Sequence, residues 1–501
     1  MDLFQQGLAI LLNWQILLAI PIGLALGIIV GAIPGLTSDL GIILCIPLTY
    51  TLQPTVAILV LLAIYVGGTY GGSITAILIN TPGTSANAAS LFDGYPMAQK
   101  GEAFKALSMA LFASTIGGLI SAFVLLFAAP PIAKVTLMFG PAEYLSLAIF
   151  GLSVIAGVSN ENILKGLIGA CIGIFVSTIG LDVISGTVRF TFGNVQLRRG
   201  IDLIIALIGL FAISEILMKA KYNPKTDHKI VDAASITGNK VTKEEYKRVR
   251  KPIAIGTIIG TIIGATPGTG GGLAAFISYN QVKQSSKHPE TFGKGEIQGV
   301  AASESANNAA CGGTMIPMLT LGVPGDGATA ILMGAFMVHG LVPGPMLFKE
   351  QGPILYAIML GLIVVNISLW FFGNIFTRFY AHITRIPFEL LACIVLTFCA
   401  AGAYSTNNNI YDVYYIFIFG VIAYYLRLMN FQLVPILLGI VLGPLAEMNF
   451  RRALILSDGS YSIFVTRPIS LAFLLIAAAS ILTFTIKNIK EDRRLKRESL
   501  T

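Results

Sequence analysis

The sequence predicts an all-α polytopic membrane protein made of two internal repeats, arranged as an inverted pair, with interrupted helices or re-entrant hairpins and an extra C-terminal helix. Three observations carry this reading. Hydrophobic residues fill 55% of the 501 positions and charged residues only 12%, about half the ~25% charged content of soluble domains. The phrase GIIVGAIPGL at Gly27–Leu36 returns as GTIIGATPGT at Gly260–Thr269. Each copy sets a Pro-Gly pair inside an apolar, glycine-rich stretch, and a helix broken at membrane depth survives only where protein or a polar cavity covers its freed backbone groups. Matched breaks in two repeats point to a transporter's substrate site.

Apolar segments run near residues 8–33, 40–64, 104–129, 143–157, 163–181 and 201–218, and again near 253–280, 311–341, 353–376, 387–403, 411–426, 431–446 and 468–487. A straight span needs about 20 apolar residues. Several segments are shorter, which predicts half-helices. The repeat continues past its first motif, because Tyr70-Gly71-Gly72 leading to Thr81-Pro82-Gly83 is echoed by Cys311-Gly312-Gly313 leading to Val323-Pro324-Gly325. Each half thus carries two breaks, the second half lengthened by the polar insertion Lys283–Glu296. The chain divides into a first transmembrane repeat, 1–218, a basic linker, 219–252, a second repeat, 253–467, and a C-terminal helix with a basic tail, 468–501.

The net charge of +8 lies in clusters between apolar segments, which reads as topology signal and not as a nucleic-acid face. The linker (Lys219, Lys221, Lys225, Lys229, Lys240, Lys243, Lys247, Arg248, Arg250, Lys251) and the tail (Lys487, Lys490, Arg493, Arg494, Lys496, Arg497) are expected in the cytoplasm. No Lys or Arg precedes Lys100, so the amino terminus is expected outside. That absence also removes the charged n-region of a signal peptide, and the first apolar segment is expected to persist in the mature protein. An odd number of crossings in the first half follows, and the second repeat then enters from the opposite face.

Polar side chains concentrate in two glycine-rich stretches. The first supplies Ser73, Thr75, Asn80, Pro82, Gly83, Thr84, Ser85 and Asn87; the second supplies Asn307, Asn308, Gly312, Gly313, Thr314, Pro324 and Gly325. With Pro34, Gly35, Pro267, Gly268 and Thr269 from the first pair of breaks, these are the candidate substrate-binding residues. Buried hydroxyls and amides need partners that a substrate can supply. A break also frees the N–H groups that open the next half-helix, a partial positive charge suited to carboxylates. The alternative is that small residues let helices pack closely and that Ser and Thr bond back to their own helix. Asn80, Asn87, Asn307 and Asn308 weigh against it, being too polar for packing filler.

Three carboxylates lie near the breaks, and Asp39, Glu304 and Asp326 are candidates for the coupling ion, a proton or sodium. Glu304 leads, because Ser303, Ser305, Asn307 and Asn308 could complete an oxygen-rich shell; a carboxylate solvated at the membrane edge is the alternative. Asp39 and Asp326 read as caps of half-helices. Cys45, Cys171, Cys311, Cys393 and Cys399 lack metal-ligand spacing and read as packing residues. His228, His288, His339 and His382 form no pair in sequence, and no glycine-rich stretch ends in the Gly-Lys-Ser/Thr of a phosphate loop. The chain is expected to be no enzyme, to bind no metal and to need no cofactor beyond its coupling cation.

Taken together, GAIPGLTSDLGI (31–42), YGGSITAILINTPGTSANAASLFDGYPMAQKG (70–101), RFTFG (189–193), GATPGTGGGLAAFISY (264–279), KHPETFGKGEIQGVAASESANNAACGG (287–313) and PMLTLGVPGDGATAILMGAFMVHGLVPGP (317–345) resemble the large membrane subunit of the tripartite tricarboxylate transporters, the TctA family. The resemblance implies a permease of the cytoplasmic (inner) membrane that works with a small membrane subunit (TctB-like) and an extracytoplasmic solute-binding protein (TctC-like). It implies secondary uptake of citrate, other tricarboxylates or dicarboxylates, driven by a sodium or proton gradient. The four Pro-Gly pairs, Asn307 and Asn308 stand where the family has them. Asp326 departs from the small or hydroxylated residue expected there, and its charge would disfavour a highly charged tricarboxylate unless neutralised. An anion channel and an intramembrane enzyme are the competing readings, and a homodimer is compatible with the sequence.

Overall fold

The computed structural model describes residues 3–33, 36–158, 163–182, 184–221, 240–383 and 388–498. In chain order the helices are α1 (Leu3–Leu11), α2 (Trp14–Gly31), α3 (Ser38–Cys45), α4 (Pro54–Ile79), α5 (Leu91–Gln99), α6 (Ala103–Thr136), α7 (Pro141–Val158), α8 (Ile163–Ser177), α9 (Leu203–Leu207), α10 (Ser214–Lys221), α11 (Lys243–Arg248), α12 (Arg250–Gly264), α13 (Gly270–Ser285), α14 (Ile297–Leu321), α15 (Gly327–Val338), α16 (Pro345–Glu350), α17 (Gly352–Ile383), α18 (Phe388–Asn407), α19 (Ile410–Leu428), α20 (Leu433–Leu456), α21 (Ile463–Thr466) and α22 (Pro468–Glu498). A π-helical turn at Ile208–Ile213 joins α9 to α10. Among the described residues the only strands are the two-residue pair β1 (Gly180–Leu181) and β2 (Val188–Arg189), antiparallel with Gly180 opposite Arg189. Among the described residues seven helices are long and apolar enough to cross a membrane, and the chain is an all-α polytopic membrane protein.

Prolines and glycines fix where the segments break. The apolar stretch at 40–64 is two elements, because α3 ends at Cys45, Pro47 opens a 3₁₀ turn and Pro54 starts α4, a first-turn position where its missing N–H costs nothing. Likewise 253–280 divides into α12 and α13, and 311–341 into the end of α14 and α15.

The chain forms two compact units, residues 1–133 with 222–398, and residues 134–221 with 399–501. Each draws on both halves of the sequence. In the first unit α2 packs along α4, and α12 along α14. Small residues make both contacts possible: a Cβ on Gly31 would lie 2.3 Å from the Gly68 carbonyl oxygen, and one on Gly260 2.2 Å from that of Ala306. Close backbone approach of this kind is the packing mode of membrane helices. α4 and α14 are enclosed by protein over nearly their whole lengths. Ser, Asn and Glu lower the hydropathy of α14 below that of the seven spans, yet every residue from Gly299 to Thr320 is buried.

In the second unit α8 lies on α20, with Gly173 against Ile436 and Gly439, and Gly209 in the π-helical turn meets Phe419 and Gly420 of α19. Arg189 and Arg451 bridge Glu447 and Asp182, with Arg189 2.7 Å from Glu447 and Arg451 2.8 Å from Asp182. Ser185 and Arg451 hold the Asp182 carboxyl well below the usual carboxylate range. All five cysteines are free. The packing reading holds for the buried Cys311 and Cys399 but not for Cys171 and Cys393, which are exposed on their helices.

A candidate substrate and coupling-ion site

The second breaks of the two sequence halves are built alike. α4 ends on Asn80 and α14 on Gly322, both left-handed (φ 54° and 70°). The next residue in each case bonds back to the carbonyl six residues earlier, Thr81 to Thr75 and Val323 to Pro317. The Pro-Gly pair follows. A Cβ on Gly83 would lie 2.5 Å from Gly72 Cα and 2.8 Å from the Gly31 carbonyl oxygen, and one on Gly325 2.6 Å from Thr314 Cα and 2.9 Å from the Gly264 carbonyl oxygen. Only glycine fits either place. Beyond the pairs, Thr84 donates to Asn87 Oδ1 at 2.6 Å, and Asp326 forms a reciprocal cap with Thr329 at the start of α15. Asn80 therefore serves its left-handed cap and is exposed.

Glu304 lies wholly buried inside the first unit. Ser73 of α4 donates to both its carboxylate oxygens at 2.7 Å, Ser114 of α6 donates to Oε2 at 3.0 Å, and Ser90 donates to Oε1. Ser303 reaches this shell only through Ser90, 3.0 Å away. The helical neighbours Ser305, Asn307 and Asn308 make no bond to it: Ser305 points about 100° away and bonds Ala302 instead, while Asn307 Nδ2 and the Asn308 amide atoms have no partner. Behind Ser73, Asn87 donates one amide hydrogen to its hydroxyl at 2.8 Å and the other to the Thr69 carbonyl at 2.9 Å. Among the described residues no basic side chain pairs with Glu304. The buried-site geometry replaces the reading of a carboxylate solvated at the membrane edge.

Asn307 and Asn308 are buried too, and they are unsatisfied. Asn307 Nδ2 and both polar side-chain atoms of Asn308 have no partner, an arrangement that costs about 1–3 kcal/mol per group unless a ligand or water completes it. Asn307 Oδ1 lies against Gly271, 2.8 Å from where a Cβ would stand. Gly271 belongs to the half-exposed glycine turn that opens α13, which has no side-chain cap. The N–H groups that open α13 carry no side-chain cap, donors of the kind that suit an anionic oxygen, while the Asn307 atom beside them is an acceptor. Asn308 stands one turn from Glu304 on the same face of α14.

The structure separates the remaining candidates. Asp326 caps α15 and accepts from Tyr65 OH at 2.7 Å. Asp39 is not a cap: Thr37 caps α3, and Asp39 sits in its first turn. Thr75 bonds Gly72 in its own helix, Thr314 bonds Cys311, and Thr269 bonds Thr266 and Ile263. Gly312 and Gly313 are packing residues, facing Ser121 and the Thr261 carbonyl. Pro82 is half-buried while Pro267 and Pro324 are buried. Gly268 donates to the Gly325 carbonyl. Pro34, Gly35 and His228 lie outside the described residues, as do the side chains of Ser85 and His382.

Several residues at the site escaped the sequence reading. Ser90 and Ser114 complete the shell of Glu304. Asp93 of α5 is buried and accepts from the N–H groups of Gly293, Gly295 and Glu296, each at 2.8 Å, and from Tyr279 at 2.9 Å. It ties the loop before α14 to the stretch after the first-half break. Ser90 and Asp93 fall within the motif at 70–101, whereas Ser114 sits in an ordinary apolar segment with no local signal.

Residues 17–438 match the Tripartite tricarboxylate transporter TctA family. The chain is 38% identical to an uncharacterized 52.8 kDa protein in the TAR-I ttuC' 3' region of Agrobacterium vitis, over 94% of this chain and 93% of that one. A second Agrobacterium vitis protein, in the TAR-II ttuC' 3' region, is 38% identical over 45% of this chain and 94% of its own length. No solved structure matches. The chain belongs to the tripartite tricarboxylate transporter TctA family.

Proposed function

We propose that this protein is the permease subunit of a binding-protein-dependent secondary transporter that imports carboxylates, citrate or other tricarboxylates or dicarboxylates, on an ion gradient. The observations that carry the reading are the buried, unsatisfied amides of Asn307 and Asn308 and, beside Asn307, the uncapped glycine turn of α13. Neutral amides and free N–H groups bind a carboxylate without a fixed cation, so the substrate is held weakly enough to leave. Glu304, Asp39 and Asp326 supply negative charge for the coupling cation. Its partners are a small membrane subunit and an extracytoplasmic binding protein, in keeping with the tripartite family.

The matched contacts of Gly83 and Gly325 support two repeats, 1–218 and 253–467, and the basic linker and tail support their insertion with opposite orientation. The amino terminus then faces outside, and the linker 219–252 and the tail 468–501 face the cytoplasm. Sidedness reporters on both termini and the linker test this, and a linker on the same face as the amino terminus contradicts it. The substrate site is tested by binding of labelled citrate and succinate to the purified complex. Saturable binding that Asn308→Leu removes supports it; equal binding by the variant refutes it.

A further inference from the structure

Glu304 is joined to the first-half break by a directional chain of hydrogen bonds. The Thr84 hydroxyl donates to Asn87 Oδ1, the Asn87 amide donates to Ser73 Oγ, and the Ser73 hydroxyl donates to the Glu304 carboxylate. Its sense is fixed: Asn87 spends its second amide hydrogen on the Thr69 carbonyl, so its oxygen must face Thr84. Every donor points toward Glu304. Bonds aligned in this way polarise one another and stabilise the anion at the end of the chain.

From this geometry we infer that Thr84, Asn87 and Ser73 couple the arrival of a substrate carboxylate at the break to protonation of Glu304, so that the coupling ion is a proton. The inference rests on the permease reading above. Thr84 is half-exposed and is the link that a substrate can reach. When its hydroxyl turns to donate to a carboxylate oxygen of the substrate, Asn87 Oδ1 loses its donor, and polarisation along the chain weakens. The Glu304 anion is then held less well. It takes a proton from a hydronium ion on the open side, leaving water, and the new O–H bond on the carboxyl requires one serine hydroxyl to turn from donor to acceptor. Substrate anion and proton are then carried together. On the other side the proton returns to water, the carboxylate departs and the chain re-forms. By linkage, a protonated Glu304 raises affinity for the substrate as much as the substrate favours protonation, which is the sign that symport needs.

The packing around Glu304 favours a proton over a metal cation. Its serine contacts at 2.7–3.0 Å are hydrogen-bond distances, whereas adjacent oxygens sharing a hard cation at roughly 2.4 Å stand about 3.4 Å apart. Other ionisable side chains on the surrounding elements include Tyr65 and Tyr70 of α4, Asp93 and Tyr95 of α5, Lys105 and Lys134 of α6, Tyr279 and Lys283 of α13, Cys311 of α14, Asp326 at the N-cap of α15, and the exposed Arg250 and Lys251 of α12. Tyr65 is bound to Asp326, Tyr279 to Asp93, and Lys105 to Glu102 and Glu245.

The test uses the complex of this chain with its small membrane subunit and binding protein in proteoliposomes, with labelled citrate and succinate as probes. Two rates are compared: counterflow exchange at equal pH, and accumulation driven by an inside-alkaline gradient. The ratio of accumulation to exchange is expected to fall about tenfold in Ser73→Ala, Thr84→Val and Glu304→Gln, and to recover in Ser73→Thr. Exchange also reports which variants fold, and Thr84→Val alters only a half-exposed position. Wild-type ratios in the exchanging variants overturn the proposal. Accumulation by the wild type on a sodium gradient with no response to pH overturns the proton assignment and leaves the permease reading standing. Failure of the wild type to transport either probe overturns both.

Discussion

The Gly268 N–H donates to the Gly325 carbonyl at 2.7 Å, which joins the two Pro-Gly breaks of the second half into one structural unit. Freed backbone groups at membrane depth must find partners within the protein, and here each break supplies one to the other. A change at either glycine therefore acts on both.

Gly325→Ala is expected to abolish uptake while leaving membrane insertion intact. Its Cβ would stand 2.6 Å from Thr314 Cα and 2.9 Å from the Gly264 carbonyl oxygen, and backbone on both sides has nowhere to move. Gly83→Ala and a replacement of Pro324 should behave likewise. Uptake assays alongside quantitation of inserted protein check this; normal uptake by all three would remove the breaks from the transport cycle.

Asn308→Leu should separate stability from function. Replacing unsatisfied buried polar atoms with an apolar group of similar size is neutral or stabilising, by about 1–2 kcal/mol, so the melting temperature of the purified complex is expected to hold or rise while uptake is lost. A fall in melting temperature that accounts for the lost uptake would show a structural role instead.

Asp93→Ala should destabilise the first unit by about 3 kcal/mol or more, because three backbone N–H groups and the Tyr279 hydroxyl lose a charged acceptor. Asp93→Asn keeps one oxygen for the N–H groups and is expected to lose roughly half as much. Thermal unfolding of the two variants in detergent measures the difference, and equal stability of Asp93→Ala and the parent would contradict it.

Cys393→Ala should leave uptake within about twofold of the parent, since exposed substitutions away from special features shift stability by less than ~0.5 kcal/mol and Cys393 is exposed and free. A severe loss confined to transport would give this residue a role at a partner surface.

Much of this architecture is legible in the sequence because helix breaks are local events. Proline and glycine act through their own backbone, so the breaks at 82–83, 267–268 and 324–325 can be read without knowing what surrounds them. The pairing of Asn80 with Gly322 as left-handed caps follows the same logic and could have been found from their position just before each break. The shell of Glu304 is a different case. Ser303 and Ser305 are its neighbours in sequence, but the turn of the helix sends them elsewhere, and the shell comes from Ser73, Ser90 and Ser114 on three other elements. Ser114 in an apolar segment carries no sign of its partner until the chain is folded. The compact units are equally non-local, each joining segments from both halves of the chain.

Carriage of a carboxylate driven by an ion gradient is measured most directly as uptake of labelled citrate and smaller dicarboxylates into proteoliposomes holding this chain and its small membrane subunit. The binding protein is added outside, with imposed sodium or proton gradients and no ATP. Saturable accumulation against a concentration gradient, requiring both the binding protein and the ion gradient, is the expected result. Flux that only equilibrates the carboxylate and ignores both requirements would contradict it and mark the protein as a channel.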